Sequence, residues 1–320
     1  MRKLFNYLYK ERILETPATF DSPQFRNKIL ADESLDTSIK KYVLEIVDNG
    51  YTVVRNSVDT ILIDNAVGQF YAWKERNKAE LTRFFKYDQM LDRLINIQGV
   101  LPIYDELFSS NKALKVQDVL FEKKTCLHSS LFFEVGSAQN IHRDVPLFWT
   151  NPANSYFGTW LALEDTDTNN GPLVVIKGSH KLPLLDRAAM ATGVYDDMDN
   201  IKDIDDDLWN IYQKEIADTC IKMGLTPEEV YVNKGDTIIW HPLLAHGGAP
   251  YRDLARTRLS FVIHTTPEYV PVFHTDVFFN PEKKVVKFKK GDYRKVKDRL
   301  VSVGKFSIGH AHDYDFEKLI

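Results

Sequence analysis

Cysteine is scarce, with Cys126 and Cys220 the two thiols in 320 residues. Two thiols cannot build a disulfide framework or a thiolate zinc site, so the fold must rest on a packed core, and a reducing, cytoplasmic setting is expected. A strong excess of either charge is also missing. With 41 Lys and Arg against 45 Asp and Glu, the formal net charge of -4 offers no general basic surface, and no nucleic-acid partner is expected. Long apolar runs are absent too: no stretch approaches the roughly 20 residues of a membrane span. The basic start at Met1-Arg2-Lys3 is not followed by the apolar segment of a signal peptide. No repeat, low-complexity tract or strong linker divides the chain. What is present is an ordinary globular composition, 44% hydrophobic and 27% charged, and one domain over 1–320 is expected.

Along the chain, Ile39, Val43, Leu44 and Val47 recur at helical spacing, and Asp48-Asn49-Gly50 ends that helix with a glycine. Tyr51-Thr52-Val53-Val54 reads as a strand. Apolar residues interleaved with charges over 58–85 predict one or two helices, and 91–108 continues helical with a break at Pro102. Residues 116–135 become strand-like, so 1–115 is expected as mainly helical support for a core over 116–267. Within that core, 182–231 reads as a lid insertion, acidic and with few apolar anchors before Leu208. It contains an amphipathic helix over 207–223, and Thr226-Pro227-Glu228-Glu229 has the form of a further helix start. The extension 268–320 holds ten Lys or Arg against two Asp between 283 and 305, a charge that could steer an anionic substrate or lie on a solvated face.

The chemistry concentrates at His142-Arg143-Asp144 and at His246 in the run His241-Pro242-Leu243-Leu244-Ala245-His246-Gly247-Gly248. In an extended strand His142 and Asp144 project to one side and Arg143 to the other, so one short segment supplies two ligands. Two imidazoles and one carboxylate bind one face of a ferrous ion, leave its other positions open to reactants and keep a net charge of about +1. His180 and His241 read as structural histidines; His310 and His312 could take adventitious metal and are not assigned to the site.

Between the two half-sites lie a strand over 156–164 (Tyr-Phe-Gly-Thr-Trp-Leu-Ala-Leu-Glu), the turn Asn169-Asn170-Gly171-Pro172, the run Leu173-Val174-Val175-Ile176 and then Gly178-Ser179-His180-Lys181. This ordered set, from about 131 to 267, resembles the phytanoyl-CoA dioxygenase family of iron- and 2-oxoglutarate-dependent oxygenases. Lys177 stands where that family commonly has proline, and 182–231 is long for it.

The resemblance implies a mainly β fold with flanking helices, a double-stranded β-helix (jelly-roll, cupin-like) core, with Fe(II), 2-oxoglutarate and O2 as cofactors. It implies His142, Asp144 and His246 as metal ligands and Trp160 beside the cosubstrate. Arginine suits the distal carboxylate of 2-oxoglutarate because its planar fork meets a carboxylate bidentately. Arg256 and Arg258 lie where the family places that arginine, and alignment on the strand favours Arg256 over Arg258. The expected activity is hydroxylation of a C–H bond in a small molecule, anionic or carrier-linked, with succinate as coproduct. Asp144 disfavours halogenation, which needs room for halide in place of the carboxylate. A cupin-like protein that binds metal or ligand without oxidation is the alternative.

Overall fold

The strand Ser260–Pro267 is buried along its whole length, and the protein is built outward from it. In the computed structural model, residues 10–12, 17–86, 89–91, 93–286, 293–309 and 314–319 are described. The largest sheet among them runs in the order Tyr293–Val296, Arg299–Ser302, Thr125–Phe133, Ser260–Pro267, Phe157–Ala162, Thr237–Trp240, Tyr51–Val54, with Arg93–Ile95 attached to Thr125–Phe133. All these pairings are antiparallel except the one between Arg299–Ser302 and Thr125–Phe133. A smaller sheet pairs Glu228–Val230, Leu173–Val175 and His246–Gly248.

Alternation of side chains assigns the two faces of the large sheet. Leu161, Phe261 and Ile263 face the helices Thr60–Arg76 and Ile103–Ser110, where they join Phe70, Trp73, Leu107 and Phe108. Phe157 and Ile239 meet the helices Pro23–Ala31, Thr37–Asn49 and Ala113–Phe121 through Phe25, Ile46 and Leu120. On the opposite face Phe133, Trp160, Ile238 and Val262 form one apolar cluster with Leu173, Val175 and Val230 of the small sheet. Both faces of the central strands are therefore covered, which is why they read as continuous apolar runs. The protein is mainly sheet with flanking helices, as expected.

The expected helix and glycine stop near residue 48 are found. Asp36 caps Thr37–Asn49 by accepting from Ser38 and Ile39, and Gly50 ends it at φ 89°. Three other expectations are corrected. Residues 91–108 are not a broken helix: Arg93–Ile95 extends the sheet, and the helix Ile103–Ser110 begins after Pro102, where a missing N–H costs nothing. Residues 116–135 are strand only from Thr125; Ala113–Phe121 is a helix whose buried Ala113, Val116, Leu120 and Phe121 follow helical spacing, closed by Glu122 at φ 52°. No helix starts at Thr226, because Glu228–Val230 finds an antiparallel partner in Leu173–Val175.

The segment 182–231 does not lack anchors. Ala191 and Ile201 are buried with Leu208, Tyr212 and Ile216 against Val145, Trp149 and Phe278. The basic extension is also tied down: Tyr293–Val296 and Arg299–Ser302 lie in the sheet, Arg299 makes a two-pronged ion pair with Asp118 at 2.6 and 2.8 Å, and Arg294 pairs with Asp105. His310 and His312 lie outside the described residues. Among the described residues no helix is long and apolar enough to cross a membrane.

One buried ion pair joins a helix to the sheet. Glu134, 2% exposed, takes Lys74 Nζ at 2.6 Å and the Leu91 backbone N–H at 2.7 Å. Removing one partner of such a pair leaves an uncompensated buried charge. Lys74→Met should therefore lower unfolding free energy in denaturant titrations by about 3 to 5 kcal/mol, and adding Glu134→Gln should recover most of that loss. Equal stability of the single variant and the parent would show that the pair is screened.

Candidate metal centre

His142 and His246 come together through the backbone. Each N–H bonds the other's carbonyl, His142 to His246 at 2.8 Å and His246 to His142 at 2.9 Å, an isolated antiparallel bridge where a longer strand was expected. The bridge brings the two rings to a centroid separation of 4.4 Å. Asp144 follows with Oδ1 at 3.6 Å from His142 Nε2 and 3.8 Å from His246 Nε2. Cis ligands at roughly 2.1 Å bond lengths lie about 3 Å apart, so small movements would seat one ion among these atoms. Among the described residues this is the one buried cluster of potential ligands that converges so closely.

The donor chemistry fits the ion. Nδ1 of His142 lies 2.8 Å from the Asn140 carbonyl and Nδ1 of His246 lies 2.9 Å from the Leu244 carbonyl. A carbonyl can only accept, so both Nδ1 atoms carry the hydrogen and both Nε2 lone pairs point at the site. Tyr156 Oη and Trp240 Nε1 both donate to Asp144 Oδ2, at 3.1 and 3.0 Å, and leave Oδ1 free for a cation. Burial pushes the Asp144 carboxyl up, but His246 and His142 beside it more than offset this and hold it well below the carboxylate range. Tyr156 is pushed far up by burial and by Asp144, so its hydroxyl stays a donor.

Arg143, between the ligands, points away from them as expected. It is fully buried; its Nη2 donates to the Ser179 carbonyl at 2.6 Å, and its backbone N–H and C=O are both bonded by the side chain of Gln213, at 2.8 and 2.9 Å. Gln213 belongs to the insertion helix Asp206–Lys222, which is thus clamped to the metal segment and sets Trp209 at 5.8 Å from the His142 ring.

The two arginines part company. Arg256 lies in the turn before the strand, 37% exposed, and pairs with Asp167 at 2.7 Å. Period-two alternation cannot carry it inward, because its backbone N–H closes a turn onto Asp253. Arg258 is 3% exposed, its guanidinium 5.3 Å over the Trp160 ring and 5.9 Å over Phe133. Its Nε bonds nothing among the described residues, and neither does the buried Ser260 Oγ beside it in sequence. Glu164, an acid whose charge acts on Arg258, is occupied by Thr257 Oγ1 at 2.9 Å and by the Leu259 N–H. Burial pulls the Arg258 guanidinium down to about 10, still cationic at neutral pH. His180 and His241 are structural: His180 Nε2 meets the Val47 carbonyl at 3.1 Å and His241 Nε2 meets Asp21 at 2.8 Å.

Tyr156 and Trp240 were not found from sequence. Trp240 reaches Asp144 by lying across Gly158, where an added Cβ would sit 2.0 Å from the indole. Both are aromatic residues with a polar tip, but only the strand pairing shows that they converge on one carboxylate.

A buried His-Asp-His set whose ligand atoms converge is the donor set of the non-haem iron, 2-oxoglutarate-dependent oxygenases, and the family match points to the same class. The chain belongs to the phytanoyl-CoA dioxygenase (PhyH) family, whose model matches residues 46–257. Peroxisomal phytanoyl-CoA dioxygenase of Rattus norvegicus is 26% identical over 270 residues, spanning 74% of this chain and 70% of that one. The Bos taurus enzyme is 31% identical over 171 residues, 51% of this chain and 42% of that one. Among solved structures, the non-heme alpha ketoglutarate dependent epimerase SnoN from nogalamycin biosynthesis aligns with a TM-score of 0.54 at 15% identity, over 84% of this chain and 99% of that one. EctD from S. alaskensis with bound Fe aligns with a TM-score of 0.53 at 14% identity, over 84% and 87%. Family membership and the buried ligand set support Fe(II), 2-oxoglutarate and O2 as the cofactors.

Two outcomes follow from this geometry. Gly158→Ala should push Trp240 off Asp144 and weaken iron affinity by about 10- to 100-fold, the usual cost of losing a partner that orients a ligand; unchanged affinity in an anaerobic iron titration would remove Trp240 from this role. Acid should also destabilise the metal-free protein. Burial lowers His180, His246 and His264 from 6.5 to about 4. Between those values the unfolded chain binds protons that the folded one refuses, so stability falls as pH drops from 6.5 towards 4. Denaturant midpoints that stay flat over that window would contradict the burial of these rings.

Proposed function

We propose that the protein is an Fe(II)/2-oxoglutarate-dependent dioxygenase with a double-stranded β-helix core that hydroxylates a C–H bond of a small molecule and converts 2-oxoglutarate to succinate. The observation that carries this reading is the buried convergence of His142, Asp144 and His246 in a chain that also buries Arg258, a guanidinium over Trp160 without a carboxylate partner among the described residues. Loaded with 2-oxoglutarate and dioxygen, iron supplies an oxidant able to attack an unactivated C–H bond, with carbon dioxide and succinate released. The double-stranded β-helix is supported by two sheets, antiparallel but for the pairing of Arg299–Ser302 with Thr125–Phe133, that share one apolar cluster.

The residues divide the work. His142 and His246 would offer Nε2 and Asp144 would offer Oδ1, since Tyr156 and Trp240 already occupy its Oδ2. Arg258 would take the distal carboxylate of 2-oxoglutarate with Ser260 Oγ as a second donor, and Trp160 would flank it. The apolar cluster of Leu173, Val175, Val230 and Val262 excludes water from this end. Arg256, paired outside with Asp167, serves the turn instead, which reverses the preference read from the alignment.

Anaerobic titration with iron and 2-oxoglutarate tests the assignment through the weak visible charge-transfer band of the bound pair. Losing a buried charge partner costs about 3 to 5 kcal/mol, so Arg258→Leu should raise the 2-oxoglutarate requirement by roughly two or more orders of magnitude, with iron binding retained. Arg256→Leu should shift it far less. A larger loss at Arg256 would return the role to that residue, and a parent protein that binds metal without forming the band would favour a non-oxidative cupin-like function.

A further inference from the structure

Arg143 carries a charge that the metal site does not use. Its side chain is fully buried and turns away from the ligands, beside Tyr212 and Cys220, both of which feel its charge. Those two residues belong to the apolar cluster of Val145, Trp149 and Phe278. Nη2 of Arg143 donates to the Ser179 carbonyl at 2.6 Å, but Nε and Nη1 find no acceptor among the described residues, and no carboxylate among them lies within ion-pair distance. A charge held in a core without a counter-charge is among the costliest arrangements a fold can keep.

The surroundings add to the imbalance. Tyr212, from the helix Asp206–Lys222, is also fully buried, and its hydroxyl has no hydrogen-bond partner among the described residues. Burial pushes that hydroxyl up, while the Arg143 guanidinium beside it, and Arg187, pull it back. Arg187 lies 4.6 Å over the Trp149 ring and 4.7 Å over Phe278, whose ring is 5.2 Å from Tyr212. Two cations thus act on one phenol oxygen. Cys220 does not balance them, because burial raises its thiol and keeps it protonated at neutral pH.

The chemistry selects what completes this cluster. A guanidinium only donates hydrogen bonds and keeps its charge, so its partner must accept and be negative. Water accepts but leaves the charge unbalanced, and a cation is repelled. Full burial of Arg143 and Tyr212 restricts the partner to very few atoms, and their place behind the metal segment keeps out a group tethered to a substrate at the ligand triad. We propose that a small inorganic anion, chloride in charge and size, binds between the Arg143 guanidinium and Tyr212 Oη and locks the insertion helix to the segment carrying His142 and Asp144. Gln213, next to Tyr212, already bonds the Arg143 backbone at 2.8 and 2.9 Å. The anion would fasten the same helix to the side chain of that residue as well. This site stands independently of the oxygenase reading.

The test uses the full chain, free of metal and in chloride-free buffer. It is unfolded with urea across a sodium chloride series, with sodium gluconate at matched ionic strength as the reference for general screening. Above the dissociation constant, each tenfold rise in chloride should lower the unfolding constant about tenfold, the slope of one ion held by the folded state alone. Gluconate, too large to enter, should give no such slope. Tyr212→Phe keeps the ring and removes one donor, so it should move the chloride series to about tenfold higher concentration. Arg143→Met should erase the slope. Crystals of the parent grown in bromide and measured at its absorption edge should show anomalous density in contact with Arg143 and Tyr212 Oη. A chloride series that coincides with gluconate, a slope that survives in Arg143→Met, or bromide confined to other positions overturns the proposal and leaves ordered water as the partner of these atoms.

Discussion

The reciprocal pair of backbone hydrogen bonds between His142 and His246 is the constraint on which the site depends. Ring orientation at each ligand is a local matter, because each Nδ1 bonds the carbonyl two residues before it, Asn140 or Leu244. Ring separation is not local. It is set by two hydrogen bonds that close only when Leu173–Val175 and His246–Gly248 pair and bring the distal segment to His142. Each bond adds about 0.5 to 1.5 kcal/mol net, so the bridge is held by the apolar clusters on either side more than by its own strength.

The insertion belongs to that constraint. Gln213 bonds both backbone groups of Arg143, so the helix Asp206–Lys222 is anchored to the residue between two ligands. Ala191 and Ile201 bury the approach to that helix against the same cluster that includes Val145. The acidic stretch expected as a lid thus carries the helix that is bonded to Arg143.

The convergence of His142, Asp144 and His246 was legible in the sequence because two of them lie in one short segment and the third in a run whose order within the family is distinctive. The mainly β architecture was legible for a similar reason: buried strands such as Phe157–Ala162 leave continuous apolar runs. Where a strand begins was not legible. Arg256 and Arg258 share a parity, and only the turn onto Asp253, closed by the Arg256 N–H, shows that the alternation starts after Arg256. Helix and strand were confused at 116–121 and 226–229 because short apolar or β-rich pieces satisfy both periods, and the choice falls to partners far away in sequence. Tyr156 and Trp240 left no signal, since their convergence on Asp144 comes from segments far apart in sequence.

Arg258 Nε and Ser260 Oγ stand buried without partners among the described residues, and this affects more than binding. A bare buried polar group costs the folded state free energy, and a ligand that reaches these atoms, as proposed for 2-oxoglutarate, would remove that cost. A ligand present at 100 times its dissociation constant adds about 2.7 kcal/mol to the folded state. Proteases and chaperones act on the small unfolded fraction, so a difference of that size changes how long a protein survives in a cell. The amount of this protein would then follow the supply of whatever ligand fills those atoms, with empty copies cleared first.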